Sequence, residues 1–337
     1  MTSLSPQSVS EIHPELFHYT NEKGLFGILQ CQCLRATHWQ HLNDTQEIIH
    51  LRETLISLIK PDLLLHGNQR ALDNQEFRSW LADTGGINEF TSTIASKITD
   101  SIYKLLVNDD DQNQIFDFFI TSFSTPEGEY REVRENGLLS QWRAYGGSDR
   151  YAMVFDTAKL EALMKTEATQ WSGRYTLGDV GYSSDSPEVL YQRLDALVRL
   201  KAAAVNFAVH GSEKTATDLL TPFLDCCTHF KHWAFSEEHE VRLVVTLDGP
   251  KMREQKVSDK TLSTERPRSN FDRGGSAVPC LNLFDGIQPT GLSRLPIRRI
   301  IVGPGANQDD RAAKLRDLLK QYKYAIPVTL STIPLCI

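Results

Sequence analysis

The chain has 337 residues, 40% of them hydrophobic, and a formal net charge of −7. That length and apolar content suffice for a large buried core, while the acidic balance argues against a protein that coats nucleic acid by neutralising its phosphates. No stretch approaches the roughly 18 consecutive apolar residues of a membrane span, and the opening MTSLSPQSVSEIHPE lacks the basic and apolar regions of a secretory signal.

A cytoplasmic location and no membrane partner are therefore the expectation. Six cysteines are too few for a disulfide scaffold. Cys31, Cys33, Cys226 and Cys227 lack the paired spacing of a zinc ribbon, so free buried thiols are expected, and no metal site.

In chain order, residues 15–20 read as a short strand carrying His18, Tyr19 and Thr20. Thr20 or Asn21 can cap the helix that follows, where Leu25, Ile28 and Leu29 recur at helical spacing. Residues 34–37 suggest a second short strand. Asn43-Asp44 precedes a helix with Ile48, Leu51, Leu55, Leu58 and Ile59 on one face, which Pro61 is expected to end or restart. Residues 68–108 read as helical and polar, and 108–114 (NDDDQNQ) as a solvated turn. The aromatic run at 115–123 (IFDFFITSF) reads as a buried strand.

A charged loop at 125–136 leads to a short helix at 137–145, and Gly146-Gly147 turns into a strand at 151–155. Helix is expected at 158–170 and over most of 187–223, with a short strand at 180–182 between them. Residues 239–247 are strongly strand-like. The polar stretch 254–279 reads as a long loop or hairpin. A strand at 297–302, the turn Gly303-Pro304-Gly305, an amphipathic helix at 309–322 and a strand at 327–334 close the chain. Strands scattered among helices without a βαβ rhythm indicate an α+β fold. The organisation expected is one domain over 1–337, with a helical insertion at about 61–114 and a polar loop at about 254–279.

Three clusters carry chemistry. His18 and Thr20 alternate onto one face of their strand, which suits a sugar hydroxyl, while Tyr19 offers a stacking surface. Glu238, Glu240 and Arg242 likewise alternate onto one face; two carboxylates and a guanidinium can hold sugar hydroxyls and stabilise a developing positive charge. Trp142 and Tyr145, three residues apart on a helix, can stack on a base, with Arg143 near a phosphate. Asn43 is a further polar candidate beside Asp44. Each cluster has a plain structural alternative: a helix cap, an exposed ion pair, an amphipathic turn on the core. Gly303-Pro304-Gly305 lacks the Lys-Ser/Thr of a P-loop and is read as a turn.

The segments FHYTNEKGLFGIL, LRATHWQHLNDTQE, FITSFS, LLSQWRAYGG, YAMVFD, KHWAFSEEHEVRLVV and IRRIIVGPGA resemble, in that order, a widespread bacterial family of unknown function, DUF2971. The first also resembles the opening strand of the ADP-ribosyltransferase superfamily. That second resemblance implies a mixed, mainly antiparallel split sheet with surrounding helices, and NAD as substrate. It would put His18 on a ribose hydroxyl and Glu240 at the catalytic position. Glu238 would orient the acceptor, and Tyr145 or Trp142 would stack on nicotinamide.

The expected function is thus an NAD-dependent ADP-ribosyltransferase-like enzyme or NAD glycohydrolase, as a toxin or phage-defence effector, acting on a protein or nucleic-acid acceptor. Two rivals are a non-catalytic nucleotide-binding or protein-interaction module, and a metal-dependent nuclease built on Asp44, Glu47 and Glu240. The sequence leaves the oligomeric state open. It also leaves open whether His18 and Glu240 meet.

Overall fold

The computed structural model describes residues 8–42, 47–106, 115–126, 131–145, 149–210, 213–250, 253, 264–287 and 294–334. Asn43 and Asp44 lie outside them. Twelve strands are described, ten of them in one sheet: β1 (Glu15–Asn21), β2 (Leu34–His38), β3 (Phe116–Ser124), β4 (Arg150–Asp156), β5 (Arg174–Asp179), β8 (Glu240–Asp248), β9 (Arg268–Arg273), β10 (Ser276–Leu283), β11 (Ile297–Val302) and β12 (Val328–Leu330). The short strands β6 (Gly181–Tyr182) and β7 (Phe230–Lys231) pair with each other. The fold is α+β with a mixed, mainly antiparallel sheet; β11–β12 is the parallel pair within it.

The sheet forks at β3. One edge of β3 pairs with β8 along its whole length, from Phe116↔Asp248 to Ser124↔Glu240, and β8 in turn pairs with β5. Its other edge is shared. β1 joins only at Phe17↔Ser124, and β2 only at Thr37↔Ile120 and His38↔Phe119. Beyond β1 run β4, β11 and β12; beyond β2 run β10 and β9.

Alternation sorts the two faces. Phe119 and Phe123 of β3, with Val241, Leu243, Val245 and Leu247 of β8, belong to the main core under α2 (Glu22–Cys31), α8 (Thr157–Gln170) and α12 (Gln308–Gln321). Phe118 points the other way, into a helical layer built from α3 (Glu47–Asp73), α5 (Gly86–Leu106), α9 (Pro187–Arg193), α10 (Asp195–His210) and α11 (Glu213–Thr228). A third cluster packs Phe17, Tyr19, Ala152, Val154 and Ile301 around Trp142 of α7 (Leu139–Tyr145).

Several elements differ from the sequence expectation. α3 runs unbroken through Pro61. A proline inside a helix costs about 3 kcal/mol, and the buried Leu51, Leu55, Ile59 and Leu63 on its two sides offset that. The polar stretch 254–279, expected as a long loop or hairpin, carries in its described part the hairpin β9–β10, in keeping with the second alternative, turned by Gly274 and Gly275 at positive φ, as a two-residue type I′ hairpin loop requires. β5 has no counterpart in the sequence reading, because RYTLGD carries only a partly buried pattern.

The cysteine expectation holds for Cys226 and Cys227, which are free and buried, as is Cys280. It is corrected for Cys31 and Cys33, which form a disulfide across the left-handed Gln32 that closes α2. No helix among the described residues is long and apolar enough to cross a membrane.

Candidate functional site

Where the sheet forks, a cavity of about 380 Å³ opens on the face that carries Phe17, Tyr19, Ser122, Ser124, Glu240 and Arg242. It lies between α7, which contributes Gln141, Ala144 and Tyr145, and the segment that contributes Lys231, Phe235 and Glu238. That volume falls in the range of small-molecule sites.

The β8 end of the cavity is a buried ionic network. Arg242 grips Glu240 with both ends of its fork, Nε to Oε1 at 2.8 Å and Nη2 to Oε2 at 3.2 Å. Its Nη1 donates to the carbonyl of Thr228 at 3.0 Å, the C-terminal end of α11, where the helix dipole favours a cation. Lys231 of β7 places Nζ between the two carboxylates, 2.7 Å from Glu238 Oε2 and 3.1 Å from Glu240 Oε2. Tyr145 donates its hydroxyl to Glu238 Oε1 at 3.3 Å, and Tyr182 accepts from the Glu240 backbone N–H at 3.0 Å.

Glu238 and Glu240 do not alternate along one strand, as the spacing suggested. Glu238 ends a short 3-10 helix (Trp233–Glu238), His239 turns back with φ 43°, and β8 begins at Glu240. The turn brings both carboxylates to Lys231 all the same.

Their electrostatics diverge. Burial pushes both up. At Glu240 the attraction of Arg242 and Lys231 outweighs it and holds the carboxyl at about 2. At Glu238 burial dominates, Lys231 opposes it, and the neighbouring Glu240 charge reinforces it, so the net shift is upward. Burial lifts the Tyr145 phenol to about 12, which keeps it a donor.

His18 comes from the opposite face of β1 and reaches the cavity through the fork. Its ring stands edge-on to Phe123, and Nδ1 is 3.0 Å from the Ser122 carbonyl. A carbonyl only accepts, so Nδ1 carries the hydrogen and Nε2 keeps the lone pair. Burial lowers the imidazole below its ordinary range, and it is neutral at pH 7.

The cavity thus gathers His18, Tyr19, Tyr145, Glu238, Glu240 and Arg242 from the sequence candidates. Tyr19 contributes mostly its edge, because its hydroxyl accepts the Leu138 N–H at 2.8 Å and its ring packs edge-on against Trp142. Thr20 does not line the cavity; it packs against Gly24 at the start of α2, and the cap of that helix is Asn21, whose Oδ1 accepts from Gly24 N–H at 2.9 Å. Trp142 is 0% exposed, with Nε1 donating to the Asn136 carbonyl at 2.9 Å, so its ring has no face left for a ligand. Arg143 is exposed and outside the cavity lining. Asn43 lies outside the described residues.

Sequence reasoning missed Ser122, Ser124, Lys231, Arg35 and Arg273 as cavity residues. For the serines a signal existed: polar residues at alternate positions of an otherwise aromatic strand. For Lys231 there was none, since only the β6–β7 pairing carries it to Glu240.

The chain is thus an α+β protein with a polar cavity at the fork of its sheet. Residues 141–243, which include Tyr145, Lys231, Glu238, Glu240 and Arg242, match the model of a family described as a protein of unknown function (DUF2971). No curated protein and no solved structure matches the chain.

Proposed function

We propose that the protein is an NAD-cleaving enzyme, an ADP-ribosyltransferase-like transferase or an NAD glycohydrolase. One observation carries the reading: two carboxylates bridged by Lys231 share a cavity with a neutral imidazole whose Nε2 is unprotonated. In this chemistry the bond between ribose C1′ and nicotinamide nitrogen breaks, and its electron pair leaves with neutral nicotinamide. The positive charge left on the ribose is stabilised by a carboxylate already ionised and fixed, which is Glu240. His18 Nε2 accepts from a ribose hydroxyl. The incoming acceptor, water in the hydrolytic case, attacks C1′ and loses its proton to Glu238, the carboxylate with the raised pKa. Tyr145 is the aromatic at hand for the nicotinamide ring. A toxin or phage-defence role is the biological setting this activity fits.

The test is nicotinamide release from NAD by the purified protein, with and without added acceptors. Glu238→Gln is expected to slow steady-state release, which needs the acceptor to complete each turnover, by about a hundred-fold or more. A wild-type protein that releases no nicotinamide, or a Glu238→Gln variant as fast as wild type, would overturn the reading. The saturation of Glu240 by Arg242 and Lys231 favours a second reading, a nucleotide-binding module without turnover; saturable NAD binding with no product would be its signature.

A further inference from the structure

The cavity has a second, cationic end. In the register of β2 with β10 and of β10 with β9, Thr37 stands level with Cys280 and Ser269, so Arg35, Phe271 and Arg273 share the sheet face of Thr37. Thr37 pairs with Ile120 of β3, which places that face in continuity with Ser122 and Glu240. Arg35 and Arg273 both line the cavity. Both guanidiniums lie over the ring of Phe271, at 5.3 and 5.2 Å from its centroid. Arg273 is tied further by Nη1 to the His41 carbonyl at 2.8 Å. Among the described residues neither guanidinium has a carboxylate partner, in contrast to Arg242 at the other end.

Stacking on a common ring restrains both long cations and lowers the entropy lost when they close on a ligand. Paired guanidinium forks match the oxygens of a phosphate or diphosphate. We infer that Arg35 and Arg273 form a phosphate subsite, and that the cavity takes a nucleoside diphosphate or a dinucleotide containing one. Two arginines in an acidic chain suit a small phosphorylated ligand better than a nucleic-acid backbone. The anion site stands on this geometry. The orientation of the ligand, with its ribose towards Glu238 and Glu240 and its phosphates towards the β9–β10 hairpin, rests on the proposed function.

Titration calorimetry of the full chain with ADP, adenosine and inorganic pyrophosphate tests it. ADP should bind at least about ten-fold more tightly than adenosine, and pyrophosphate should compete with ADP. Arg35→Gln and Arg273→Gln should each weaken ADP about ten-fold, leave adenosine unchanged and flatten the salt dependence. Arg35→Lys and Arg273→Lys, which keep the charge but lose the fork, should fall between, and they replace the Gln variants if those fail to fold. No ADP binding by wild type, equal affinities for ADP and adenosine, or ADP binding unchanged in the double Gln variant would overturn the subsite. The two readings fail separately. Arginine-dependent ADP binding without nicotinamide release sinks the cleavage chemistry alone, and nicotinamide release undiminished in the double variant sinks the subsite alone.

Discussion

Glu238 and Glu240, two residues apart, meet the same lysine and carry opposite energetic signs. Glu240 has a depressed folded pKa, so its pairing stabilises the fold above the unfolded value near 4.5 and is lost as pH falls towards about 2. Glu238 has a raised folded pKa, so it favours the fold below 4.5 and costs stability once pH rises through its folded value. Glu240→Gln leaves Arg242 buried without its counter-charge and is expected to cost on the order of 3 kcal/mol at pH 7. Glu238→Gln removes a cost and should melt at or above wild type while losing activity. Urea unfolding of both variants at pH 7 checks this pair; a larger loss in Glu238→Gln would contradict it. Lys231→Met should show a further mark of the shared cation: with its attraction gone, Glu238 rises further, and any pH–rate profile governed by that carboxylate moves to higher pH. An unmoved profile would show that Lys231 does not set the Glu238 titration.

At the level of elements, α7 is seated by glycines. A Cβ on Gly303 would lie 2.8 Å from the Trp142 ring and 2.6 Å from the Arg150 side chain, and one on Gly137, at φ 78°, would lie 2.7 Å from that ring. Gly303→Ala is therefore expected to cost about 1–3 kcal/mol through overpacking. Trp142→Phe should destabilise the chain yet leave nucleotide affinity as it was, because the indole faces core. Tyr145→Ala should weaken nucleotide binding with little effect on stability, because the residue is 37% exposed and lines the cavity. Thermal melts paired with calorimetry separate the two aromatics, and a Trp142→Phe variant with intact stability and lost affinity would reverse their roles. The sequence placed both on one helical face; a seven-residue helix packed across β1 instead buries one and leaves the other at the rim.

For the whole molecule, the network of Glu240, Arg242 and Lys231 ties β8 and β7 to the end of α11, so acid should weaken the joint between sheet and helical layer. Stability is expected to fall between about pH 5 and pH 2, by on the order of 1–3 kcal/mol from Glu240 alone. Glu240→Gln should show a shallower slope across that window in pH-dependent urea unfolding. Parallel slopes for wild type and variant would remove Glu240 from the acid response. His18 adds in the same direction: its pKa is lowered by burial, so its contribution is present above the unfolded value and is lost as pH falls through the folded one.

What the sequence determined by itself was local. The aromatic and β-branched run IFDFFITSF marked β3, the alternating EVRLVV marked β8, helical spacing marked α2 and α12, and the Glu-x-Glu spacing singled out the carboxylates. These are legible because side-chain period and propensity act over a few residues. Tertiary structure alone decided which of them meet. The fork of β3 lets His18 cross to the face of Glu240, β6–β7 pairing delivers Lys231, and the β9–β10 hairpin brings Arg273 into the cavity that Arg35 lines, over the same Phe271 ring, across a sequence separation that no local pattern encodes. Burial then set the chemistry, since a carboxylate's pKa depends on which cations share its enclosure, and here those cations come from β7 and from within β8 under the end of α11.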